Sequence, residues 1–129
     1  MVGQRKRKIK KMPLIKNLHI NKNTATRKFS DKQEKAVAKA VGGRKVAGSG
    51  NGSFQKGDVN ADNWIYECKT QTKHKKSFTI KKEWFIQNIN EAYRMGKKYS
   101  AVVFNFGPDE ENYYILDENT FLEMKNYLK

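Results

Sequence analysis

The sequence predicts an α/β domain in which a central mixed β-sheet is flanked by helices. Segments whose apolar residues recur at helical spacing alternate with short runs of strand formers. One such run, residues 100–106, is almost continuously apolar, as a strand covered on both faces has to be. Pairs such as Gly42-Gly43 and Gly107-Pro108 punctuate the segments. A length of 129 residues, 37% of them hydrophobic, suits one modest core.

Residues 1–28 hold ten Lys and Arg and no acid, among them Arg5, Lys6, Arg7, Lys8, Lys10 and Lys11. They read as a basic N-terminal arm, loosely attached and suited to following phosphates, ahead of a folded domain over 29–129. The first helix is expected over 31–41. Ser30, Asp31, Lys32 and Gln33 have the capping-box pattern, and Gly42-Gly43 supplies the stop. Its apolar face runs through Val37, Ala38 and Val41, and at 100° per residue Glu34 falls on the same face. A carboxylate there either complements the helix dipole or serves a site.

A short strand is expected over 44–47, followed by the glycine-rich run Gly48, Ser49, Gly50, Asn51, Gly52, Ser53. That run lacks the lysine followed by Ser or Thr of a P-loop. The next segment reads as a β-hairpin, with Asn60, Ala61, Asp62 and Asn63 as its turn and strand formers over 64–70. Alternation puts Ile65, Glu67, Lys69 and Gln71 on one face and Trp64, Tyr66 and Cys68 on the other. A turn centred on Ala61-Asp62 sets Asp58 opposite Ile65, diagonal to Glu67, within a span two carboxylates can close around one cation.

A polar connection with Lys73, His74, Lys75 and Lys76 follows, placed to contact phosphates, with Phe78 as an exposed aromatic. The main helix is expected over 81–95, facing inward through Trp84, Phe85, Ile89, Ala92 and Tyr93 and ending at Gly96. Strands over 100–106 and 112–116 and a helix over 118–128, packing through Phe121, Leu122, Met124 and Leu128, complete the order α-β-β-β-α-β-β-α.

The formal charge of +14 points to a polyanionic partner. The single Cys68 excludes an internal disulfide, and with only His19 and His74 beside it no zinc spacing arises. No apolar run approaches the roughly 20 residues of a membrane span, and no apolar segment of a signal peptide follows the basic start. A protein of the cytoplasm, in a bacterial, archaeal or phage-infected cell, is the expectation.

Two carboxylates and a lysine on one sheet face suit phosphodiester hydrolysis, where a divalent cation bridges a phosphate oxygen and the attacking water. Asp58 and Glu67 would hold Mg²⁺, with Mn²⁺ able to substitute, and the Cys68 carbonyl would add a third oxygen. Lys69 would orient water or stabilise charge growing on the phosphate. The same residues also fit a surface Glu/Lys pair beside an unrelated turn aspartate.

The order of a helical glutamate, Gly57-Asp58, then Glu67-Cys68-Lys69 on the next strand, within α-β-β-β-α-β, resembles the PD-(D/E)xK nuclease superfamily. It is most similar to phage and archaeal-type Holliday junction resolvases. The resemblance implies a restriction-endonuclease-like core, with Asp58 and Glu67 as metal ligands and Lys69 as catalytic lysine. It puts Glu34 in the place of the supporting helical acid, Ser49 near the scissile phosphate, and Gln71 as a residue orienting water or substrate. Gly57 stands where the motif has proline. It further implies a homodimeric, Mg²⁺-dependent endonuclease of DNA recombination and repair that nicks four-way junctions symmetrically. Two alternatives stay open: a nuclease of ordinary duplex or single-stranded DNA, and a non-catalytic basic nucleic-acid-binding protein.

Overall fold

A computed structural model describes the backbone of residues 12–46 and 58–128, and the side chains of 26–46 and 58–128. Helix α1 (Met12–Val41) leads into β1 (Arg44–Lys45), β2 (Val59–Ala61) and β3 (Trp64–Lys69). Helix α2 (Lys82–Arg94), β4 (Tyr99–Phe104), β5 (Tyr113–Ile115) and α3 (Glu118–Tyr127) follow. The sheet is mixed and five-stranded in the order β1-β2-β3-β4-β5, with β3 and β4 parallel and the other neighbours antiparallel. The α/β architecture and the element order are those the sequence predicts.

Consecutive residues of the two central strands are buried, Ile65 with Tyr66 and Val102 with Val103, so both faces of the sheet are covered. On one face Val37 of α1 packs against Val59, Tyr66, Ala101 and Val103. On the other, α2 crosses over β3 and β4, burying Asn88 and Ala92. The Asn88 Nδ2 donates to the Ala101 carbonyl at 3.0 Å, which secures the helix to the strand edge.

Several expectations need correction. Helix α1 starts at Met12, so Ser30 lies inside it and caps nothing, and the boundary drawn at residue 28 falls within one continuous helix. A capping box is a local pattern, and upstream helical residues satisfy the same amides through the backbone. In α2, Ile89 and Tyr93 point outward, and the inward stripe passes through Asn88 and Ala92. Helix α3 buries no residue, and Phe121, Leu122, Met124 and Leu128 are exposed. No helix of the described residues is long and apolar enough to cross a membrane.

Candidate active site

The hairpin positions the acid pair through an irregularity at its end. Asn63 takes a positive φ of 61°, tightening the turn to Asp62 and Asn63 and pairing Ala61 with Trp64 and Val59 with Tyr66. The register expected from sequence is therefore two residues off. A two-residue shift keeps each side chain on its face, but it carries Asp58 past Ile65 to the level of residues 66–68.

The regular ladder stops at Val59. The Asp58 N–H donates to the Tyr66 carbonyl at 2.9 Å, so Asp58 and Val59 share one residue of β3 in the manner of a β-bulge. The Asp58 Oδ2 then accepts the Cys68 N–H at 2.7 Å, doing for β3 what a ladder carbonyl would have done. A carboxylate turned into the strand edge in this way comes within electrostatic range of Glu34 on α1 and of Glu67 and Cys68 on β3.

Glu67 is the nearest in sequence. Its side chain is 24% exposed and meets the Lys69 Nζ at 3.1 Å. Burial and, next, the Asp58 charge push its carboxyl above the ordinary range, while Lys69 opposes them. Lys69 also sits 4.7 Å from the centre of the Trp84 ring, so the ammonium is held between a carboxylate and an aromatic face. Glu34 enters from α1. It is only 12% exposed and 3.9 Å from the Lys45 Nζ. Burial first, then the negative charge of Asp58, raise it to about 7. The Cys68 thiol is pushed up by burial and by the Asp58, Glu34 and Glu67 carboxylates, so it stays protonated, inert as a nucleophile and as a metal ligand.

The structure thus brings Asp58, Glu67, Lys69 and the Cys68 backbone together, with Glu34 facing them across the α1 side. Among the described residues, however, no group of three or more His, Cys, Asp or Glu side chains is arranged to hold a metal ion. The donor set that fits a hard cation is two carboxylates and a backbone carbonyl, and in this conformation Glu34 is not a further ligand. Gln71 is half-buried beyond Lys69, its Nε2 without a hydrogen-bond partner among the described residues. Ser49 with its glycine-rich run, and Arg5, Lys6, Arg7, Lys8, Lys10 and Lys11, lie outside the described residues. No family model, curated protein or solved structure matches this chain.

Lys73, His74, Lys75 and Lys76 are all exposed beyond the end of β3. The His74 Nδ1 lies 2.5 Å from Glu110 Oε2, and the Lys75 N–H donates to the Phe106 carbonyl at 2.8 Å, which ties the connection to the turn after β4. Phe78 is not an exposed aromatic. It packs between Trp84 and Phe104, ring centres 6.1 and 5.1 Å away.

Sequence reasoning missed a buried amide network behind the site. The Gln33 Nε2 donates to the Lys69 carbonyl at 2.7 Å and to Asn112 Oδ1 at 3.3 Å. Asn105 donates to the same Asn112 oxygen at 3.1 Å and accepts from the Thr70 hydroxyl at 2.7 Å. These bonds tie α1 and the approach to β5 to the strand ends at Lys69 and Phe104. The available signal was the i, i+4 relation of Gln33 to Val37, which puts a carboxamide on the helix's inward stripe.

Proposed function

We propose that the protein is a metal-dependent DNA endonuclease of the PD-(D/E)xK kind, with a restriction-endonuclease-like core, acting on four-way junctions as a homodimer. The observation that carries the reading is the bulge at Asp58, which sets this carboxylate beside Glu67 and the Cys68 backbone with Lys69 next to them.

Asp58 and Glu67, with the Cys68 carbonyl, would hold Mg²⁺, which when bound polarises the phosphate and lowers the pKa of a coordinated water. The chain's own groups account for the remaining work. Lys69 supplies a positive charge where charge grows on the phosphate, and Trp84 keeps the ammonium from turning away. Glu34 takes or gives a proton near neutral pH, because its carboxyl is raised to about 7. The basic surface binds the DNA backbone. Symmetric nicks need two sites, and the described residues hold one such constellation, which is the argument for a homodimer.

The test is cleavage of a labelled four-way junction and of its matching linear duplex with Mg²⁺, comparing the intact chain with Glu67→Gln. Paired symmetric nicks confined to the junction and lost in the variant are the expected result. Equal cutting of both substrates would retain the nuclease and discard junction selectivity. Tight binding without cutting would overturn catalysis.

A further inference from the structure

On the α1 side of the sheet, past the C-terminal end of that helix, a groove of about 870 Å³ is left open. Its floor is aromatic. The Trp64 and Tyr66 rings are parallel within 6° at 5.6 Å, and Tyr114 meets Tyr66 edge-on at 6.0 Å. Tyr114 is 40% exposed, as is its neighbour in the groove, Met124, at 41%. The rim carries Arg44, which is exposed, Lys97, whose Nζ also donates to the Ala61 carbonyl at 2.9 Å, and Lys45, which is paired with Asp31 at 2.6 Å, against one exposed acid, Asp62.

Tyr114 is the exposed ring, beside half-buried Trp64 and buried Tyr66, and an exposed ring edged by cations is an arrangement that stacks nucleobases while holding their phosphates. The groove lies on the face opposite the Glu67 and Lys69 side chains, and its nearest link to the candidate active site is Lys45 in its wall, 3.9 Å from Glu34.

We infer that this groove is a track for an unpaired DNA strand, whose bases stack over Tyr114 and the half-buried Trp64 and whose phosphates meet Arg44 and Lys97. The inference deepens the nuclease reading and rests on it for the choice of DNA as the polymer. It specifies the substrate as one with unpaired nucleotides, which a junction supplies where the pairs at its exchange point open. A second copy of this chain fits the groove less well. Self-pairing about a two-fold axis would bring the Arg44 and Lys97 rims of two strongly basic chains together.

Binding to a labelled oligothymidylate and to a duplex of equal length, measured by anisotropy on the full chain in chelator, tests this without any cutting. Tyr114→Ala weakens oligothymidylate binding at least about fivefold while duplex binding changes less than about twofold, since stacking is lost only for unpaired bases. Arg44→Glu, at an exposed position, acts in the same direction and flattens the salt dependence for the single strand. Equal effects on both DNAs, or none, would overturn the track and leave junction cleavage standing. So would light scattering that shows a dimer dissociated by Tyr114→Ala. Selective loss of single-strand binding in a chain that cuts nothing would support the track and sink the nuclease.

Discussion

Asp58→Asn is the cleanest substitution at the site, because the asparagine oxygen can still accept the Cys68 N–H while the charge needed for a hard cation is gone. The variant is expected to fold, to bind junctions at least as well as the parent, and to cut none; loss of folding together with binding would refute the role given to this residue. Lys69→Ala should slow cleavage by about 10²-fold or more. Lys69→Arg should not restore it, since a planar fork cannot take the compact ammonium's place between Glu67 and the Trp84 ring.

Glu34 makes a prediction in pH. Its folded carboxyl, at about 7, binds a proton more tightly than the unfolded one at 4.5. The stability this contributes is complete below the unfolded value and is lost as pH rises through about 7, a window worth up to ~3 kcal/mol. Glu34→Gln removes the loss. Thermal unfolding should therefore show the variant gaining on the parent between pH 5 and pH 8, and a constant difference across that range would contradict the assignment.

Among the elements, the hairpin is legible in kind and wrong in register. Strand formers and turn residues fix that Glu67 and Lys69 share a face, because period two survives any even shift. They do not fix the level of Asp58, which depends on Asn63 adopting a left-handed φ and on a bulge with no sequence mark of its own. The start of α1 is misplaced for a related reason, since the capping pattern at Ser30 is local while the helix is continuous through it. Asn88 shows the other limit, a polar residue buried where Ile89 and Tyr93 were expected, because its carboxamide reaches a strand carbonyl.

The amide network joining α1 to β3 belongs to this scale. Gln33→Leu leaves the Lys69 carbonyl without this donor and Asn112 with Asn105 alone, at a cost of about 1–3 kcal/mol. Cleavage should fall further than junction binding, because the bond holds the backbone of the catalytic lysine. The Gly107 amide, bonded to Asn105 Oδ1 at 3.2 Å, should exchange faster with Val103 unchanged. Uniformly faster exchange would mean a general loss of stability instead.

For the whole molecule, charge and shape act together. The 30 residues of α1 span ~45 Å, about twice the ~20 Å of the longest strands, so the helix overhangs the sheet it packs on. The overhang includes positions Lys16, Lys22, Arg27 and Lys28, continuous in sequence with the basic cluster from Arg5 to Lys11. A helix carrying this many basic positions suits contact with a DNA arm. Replacing those four residues with glutamine should weaken junction binding and reduce the salt slope by up to ~0.9 for each phosphate no longer neutralised. The single-turnover cleavage rate at saturating protein should stay within about twofold, because phosphate contacts position the DNA and the proposed chemistry is assigned to Asp58, Glu67 and Lys69. An unchanged salt slope would remove the overhanging helix from the DNA interface. A slope that fell together with the saturated rate would mean that this helix also places the scissile phosphate.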